Sequence, residues 1–131
     1  MIAEDSAITR AFLVSALEEI SERVNVIEVG SGFEALKQLP REKFDLIITD
    51  INMPDINGLE LISFIRNNPE YSHIPLIVVT TEGSPRDREK GIALGADEYL
   101  VKPIDATQFQ ELIRKYLGIS GESDGGSRRK N

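Results

Sequence analysis

The chain has no cysteine, a single histidine and no apolar run approaching the length of a membrane span. Without cysteine there is no disulfide framework and no thiolate chemistry, which suits a reducing cytoplasm, the expected location. A spanning helix needs about 18 or more consecutive apolar residues, so no membrane segment is expected. Met1 is followed by only Ile2 and Ala3 before Glu4 and Asp5, which is not the start of an export leader. The one histidine, His73, precedes Ile74-Pro75 in a loop and reads as a surface residue, neither phosphodonor nor ligand. Basic residues are the minority: 15 Lys and Arg stand against 22 Asp and Glu, for a net charge of −7. The stretch from Gly118 carries Glu122 and Asp124 against Arg128, Arg129 and Lys130, so the excess of acid lies ahead of it. Such a field disfavours direct contact with nucleic acid or anionic lipid and favours basic protein surfaces, besides keeping the chain soluble.

What is present fits one domain with a real core in 131 residues. Met1 to Ala3 reads as a very short strand. Ser6 caps a helix whose Leu13, Ala16, Leu17 and Ile20 share a face. A second strand is expected over Asn25 to Val29. Ser31 and Glu34 have capping-box spacing and open a helix that Pro40 closes near Leu39. Phe44 to Asp50 is a third strand, buried and ending in an acid. A third helix follows Gly58, with Leu61, Ile62 and Ile65 inward. Ile74 to Thr81 holds a fourth strand, apolar on both faces as in a sheet covered on both sides. Ser84-Pro85 opens a helix that ends at Gly95. Glu98 to Val101 is a fifth strand. Asp105 and Gln108 cap a last helix carrying Phe109, Leu112, Ile113, Tyr116 and Leu117. Residues 119–131 read as a flexible tail or linker remnant after a domain over residues 1–118.

Five β-α units predict a doubly wound parallel sheet of order 2-1-3-4-5 flanked by five helices, a flavodoxin-like arrangement. Its crevice lies at the switch point between strands 1 and 3. Strand 1 ends at Glu4-Asp5 and strand 3 at Asp50, so three acids converge there. Such a cluster calls for a hard cation, and Mg²⁺ suits carboxylates supplemented by a backbone carbonyl, for which Asn52 is well placed, and by water. Thr80 ends strand 4 as a hydroxyl donor and Lys102 ends strand 5 as a cation. Together these residues can make and hold an acyl phosphate on Asp50.

These residues closely resemble the receiver domains of two-component response regulators. The resemblance rests on Glu4-Asp5, on Asp50 with MPDING after it, on Thr80, and on Lys102-Pro103, and it covers residues 1 to about 118. The stretch TTEGSPRDREKGIALGADEYLVKP is most similar to chemotaxis-type single-domain regulators. The resemblance implies Asp50 as phosphoacceptor from a histidine kinase. It implies Asp5, Asp50 and the Asn52 carbonyl as Mg²⁺ ligands, with Glu4 acting through metal-bound water. It further implies Thr80 as switch hydroxyl, Lys102 as phosphate-sensing lysine, Tyr99 as switch aromatic turning inward, and a cis bond before Pro103. Asn52 and Glu82 occupy the positions that tune the lifetime of the phosphoryl group. The helix 4, strand 5 and helix 5 face would then be read by a protein target or output domain.

Other readings compete. Asp50 and Glu4-Asp5 can be loop or capping acids, Thr80 a plain strand residue, Lys102 a surface lysine and Tyr99 a core tyrosine. MPDING is not an EF-hand, because Pro54 and Leu61 fall where calcium ligands are required. A phosphohydrolase using an aspartyl phosphate is disfavoured by the nucleophile following the third strand. The chain is therefore expected not to be an enzyme beyond catalysing its own aspartyl phosphorylation and dephosphorylation. It can also be a receiver cut from a larger regulator or hybrid kinase, or an inactive pseudo-receiver scaffold. The short first strand leaves a monomer, a weak dimer or strand exchange open.

Overall fold

The computed structural model describes residues 1–119. Five strands form one parallel sheet in the order β2-β1-β3-β4-β5. The strands are β1 (Ile2–Ala3), β2 (Glu28–Val29), β3 (Ile47–Thr49), β4 (Leu76–Thr80) and β5 (Glu98–Val101). Between and after them run α1 (Ala7–Glu18), α2 (Gly32–Gln38), α3 (Gly58–Arg66), α4 (Pro85–Leu94) and α5 (Ala106–Leu117). The sheet order and the five helices are those expected.

Alternation along the strands builds two cores. Ala3, Ile47, Leu76 and Val78 face the side of α2, α3 and α4, where Leu61, Ile62 and Ile65 complete a buried cluster. Ile2, Ile48, Ile77 and Val79 face α1 and α5 and pack with Leu13, Leu17, Phe109 and Ile113. Burial on both faces is why β3 and β4 read as unbroken apolar runs.

Several boundaries differ. β2 is two residues long, not five, because β1 offers it only Ile2 and Ala3 as ladder partners. Pro40 does not stop the chain turning at Leu39; it sits inside a 3-10 turn over Leu39–Arg41. The Ser31 cap forms, but Glu34 reaches back to the Gly30 N–H at 3.0 Å, one residue before the cap. A full capping box occurs instead at Asn57 and Glu60, ahead of α3. β1 takes its central place within the same chain, and Met1, Ile2 and Ala3 are buried. The Met1 amine donates to the Leu46 carbonyl at 2.9 Å. Burial lowers its pKa from 8.0 to about 5, with Asp45 opposing only in part. The expected tail lies outside the described residues beyond Ile119.

Candidate functional site

The site forms where four strands end. The Glu4 N–H is taken by the Val29 carbonyl at 3.0 Å, and the Asp50 N–H by the Ala3 carbonyl at 3.0 Å, so the ladder itself sets these acids side by side. One carboxylate oxygen from each of Glu4, Asp5 and Asp50 falls within 4.8 Å of the others. Glu4 is 1% exposed and Asp50 6%, while Asp5 is open to solvent.

The loop after β3 is shaped around Asp50. Its Oδ1 accepts from the Ile51 N–H at 2.6 Å and the Asn52 N–H at 3.3 Å. Asp55 adopts φ +70°, tolerable for an aspartate in a tight turn. Gly58 then passes so close that a Cβ would lie 2.0 Å from the Asp50 carbonyl oxygen. Only glycine allows the chain to turn into α3 there.

Lys102 closes the cluster. Its Nζ donates to Asp50 Oδ2 at 3.0 Å and to Glu4 Oε1 at 3.1 Å. It is delivered by the end of β5, where its N–H bonds to the Thr80 carbonyl at 2.8 Å and the bond to Pro103 is cis, as the resemblance implies. Burial works against the ammonium, but the hydrogen bonds to Asp50 and Glu4 outweigh it and raise its pKa. Burial raises the Glu4 carboxyl, against the bonds from Ser6 and Lys102. One lysine thus compensates three acids, and the uncompensated remainder, made only of hard oxygen donors, fits a Mg²⁺ ion.

Thr80 and Glu82 form a second group beside the first. Thr80 is buried, and its Oγ1 accepts from the Glu82 N–H at 3.2 Å. The Asn52 side-chain amide donates to Glu82 Oε2 at 2.8 Å, joining the loops after β3 and β4. Tyr99 lies inward, 2% exposed, and its hydroxyl donates to the Glu82 carbonyl. A hollow of about 600 Å³ lies elsewhere, at the opposite end of the sheet, lined among others by Met1, Val26, Leu46 and Leu117.

Sequence reasoning missed Arg10. On α1 it donates from Nη1 to the Glu4 main-chain carbonyl at 2.6 Å and pairs with Glu28 at 3.3 Å. A basic residue one turn beyond the Ser6 cap was the available signal. It also missed Arg66, which ties the α3 end to the Gly95, Ser72 and Ile74 carbonyls and to Asp97.

An open parallel α/β sheet with an acid trio and a lysine at its switch point is a doubly wound domain whose polar crevice lies where such sheets bind their ligands. Comparison with known proteins makes the family plain. The family model for the response regulator receiver domain matches residues 1–114. The chain belongs to that family, whose members are signalling switches of two-component systems. It is 34% identical over 124 residues to a chemotaxis protein CheY homolog of Campylobacter jejuni, covering 93% of this chain and 95% of that one. It is 38% identical over 107 residues to the probable transcriptional regulator ycf29 of Pyropia yezoensis, covering 80% of this chain but 48% of that protein. The solved structure of the chemotaxis response regulator CheY4 of Vibrio cholerae superposes with a TM-score of 0.79 at 30% identity, covering 88% of this chain and 94% of that one. Among the described residues no helix is long and apolar enough to cross a membrane.

Proposed function

We propose that Asp50 takes a phosphoryl group from a histidine kinase and that the α4, β5 and α5 face reports this to a protein target or output domain. The observation that carries the reading is the Lys102 ammonium shared between Asp50 and Glu4, groups brought together from the ends of three different strands. A carboxylate oxygen of Asp50 attacks the phosphorus of a phosphohistidine. The P–N bond breaks, the imidazole nitrogen leaves with the electron pair and takes up a proton, and an acyl phosphate remains. Asp5, Asp50 and the Asn52 carbonyl would hold Mg²⁺, with Glu4 acting through water. The ion, when bound, supplies charge neutralisation for the phosphoryl oxygens.

The chain's own groups do the rest. Lys102 is held cationic and lies where it can follow the new charge, roughly −1.5 to −2, on the acceptor. The Thr80 oxygen already accepts from Glu82, which leaves its proton to donate to a phosphoryl oxygen. That movement loosens the Glu82 main chain, to which the Tyr99 hydroxyl is tied. Exchange of Tyr99 between inward and outward positions then alters the surface around Ile92 and Val101, both exposed apolar residues. Reversing a 1:99 population takes about 5.5 kcal/mol of differential stabilisation. The Asn52 amide holds the Glu82 carboxylate beside the acceptor, where it can orient a hydrolytic water. Residues 1–118 act as the folded unit, as a monomer or weak dimer in the cytoplasm.

Intact mass after incubation with acetyl phosphate and Mg²⁺ tests the reading. One labile phosphoryl group is expected, absent in Asp50→Asn and with EDTA. No gain by folded wild-type protein would overturn it.

A further inference from the structure

Of the three acids in the cluster, two are tightly held. Glu4 is fixed by the Ser6 N–H at 3.1 Å and by Lys102. Asp50 is fixed by Ile51, Asn52 and Lys102. The Asp5 carboxylate has no hydrogen-bond partner among the described residues, although it stands within the same 4.8 Å group. Its own side-chain contacts do not fix its direction.

The peptide between Glu4 and Asp5 is what Arg10 grips. Nη1 donates to the Glu4 carbonyl oxygen at 2.6 Å, a charge-assisted bond. The guanidinium is braced from behind by Glu28 of β2, at 3.3 Å. A Cβ on Gly30 would lie 3.8 Å from Nη1, an ordinary van der Waals distance. The side chain is 25% exposed. Fixing this peptide plane fixes where the Asp5 nitrogen and Cα sit, leaving φ as the one backbone rotation between the plane and the Asp5 Cβ.

We propose that Arg10 is a positioning residue for the divalent cation: by holding the Glu4–Asp5 peptide it aims the Asp5 carboxylate at the cation, which it does not itself touch. The inference rests on the functional reading above. It also makes a sign prediction. Arg10 is a cation beside a cation site, so through-space electrostatics alone says that its removal tightens Mg²⁺ binding. Positioning says the reverse.

The test is Mg²⁺ titration by calorimetry on wild type, Arg10→Ala, Arg10→Lys and Glu28→Ala, with melting temperatures measured without Mg²⁺. Loss of a residue that orients a ligand typically weakens metal binding by roughly 10- to 100-fold. Arg10→Ala is expected to weaken Mg²⁺ about tenfold, Glu28→Ala less, and Arg10→Lys to recover part of the loss. With acetyl phosphate, Arg10→Ala should need about tenfold more Mg²⁺ for half-maximal phosphorylation while reaching a similar plateau rate. Unchanged or tighter Mg²⁺ binding in Arg10→Ala overturns the proposal, including where its melting temperature falls. Failure of wild type to bind Mg²⁺ overturns the functional reading instead.

Discussion

α3 and α4 lie side by side on one face of the sheet and are held there in different ways. α3 buries Leu61, Ile62 and Ile65 completely and begins with a full capping box at Asn57 and Glu60. The one buried residue of α4 is Gly91, and Arg86, Arg88, Glu89 and Lys90 face solvent. α4 is fastened at its C-terminal end, where Arg66 of α3 donates to the Gly95 carbonyl at 2.9 Å. Along its length it meets Tyr99: Arg88 donates to the Tyr99 carbonyl at 2.9 Å, and Gly91 lies against the ring. The acceptor loop therefore leads into a helix with deep apolar anchorage. α4 adds only the half-buried Leu94 to the core and otherwise rests on polar contacts and one aromatic ring.

The largest effect is expected at Gly58, where α3 starts. A methyl group there meets the Asp50 carbonyl oxygen at 2.0 Å and Ile51 Cα at 2.8 Å, both backbone atoms that cannot turn aside. Gly58→Ala should cost about 4 kcal/mol or more, beyond the usual penalty for overpacking. Urea unfolding measures it, and a cost below 1 kcal/mol would mean the acceptor loop is far more yielding than α3 suggests.

The rigid body also carries a titrating group. The Met1 amine has its pKa lowered to about 5 in the fold against 8.0 when unfolded. Between those values the unfolded chain binds the extra proton, so stability rises with pH from about 5 to 8 and is lost as pH falls. The displacement corresponds to about 4 kcal/mol at most. N-terminal acetylation should flatten that part of the stability profile; an unchanged slope would assign it to other groups.

Leu61→Ala and Ile92→Ala compare the helices directly. Leu61 is 0% exposed and its truncation leaves a cavity, expected to cost about 2–5 kcal/mol. Ile92 is 43% exposed, and its truncation should stay within about 0.5 kcal/mol. Equal costs would erase the distinction.

Much of this was legible before any coordinates. Continuous apolar runs such as Leu76 to Val79 suit a sheet covered on both faces, and five alternating β-α units point to a parallel topology and its switch point. Glu4, Asp5, Asp50 and Lys102 follow, because strand ends in that topology share one edge. What was not legible depends on distances between elements. Arg10 acts on a main-chain carbonyl, so its basic character one turn beyond the Ser6 cap does not by itself say what it grips. Arg66 spends its donors on three carbonyls and an acid from separate loops. The shortness of β2 came from its partner rather than from its own β-branched residues, since a ladder is only as long as the shorter strand. The inward Tyr99 depends on Gly91 being small enough to admit the ring, a relation between residues on two elements.

Gly91 gives the smallest and most discriminating prediction. A methyl group there would stand 3.0 Å from two ring carbons of Tyr99, tighter than comfortable, yet against a side chain that can shift. Alanine is the better helix former by about 1 kcal/mol, which offsets most of the crowding. Gly91→Ala should therefore change stability by less than about 1 kcal/mol while pushing the ring away from the Glu82 carbonyl. The check is the chemical shifts of the Tyr99 ring set beside an unfolding curve. Shifted resonances with near-wild-type stability would show that α4 rides on the ring without being anchored by it. A loss above 2 kcal/mol would show that α4 is as firmly seated as α3, and the readout would then need a different moving part. Unmoved resonances would separate α4 from Tyr99, leaving Arg88 as its link to β5.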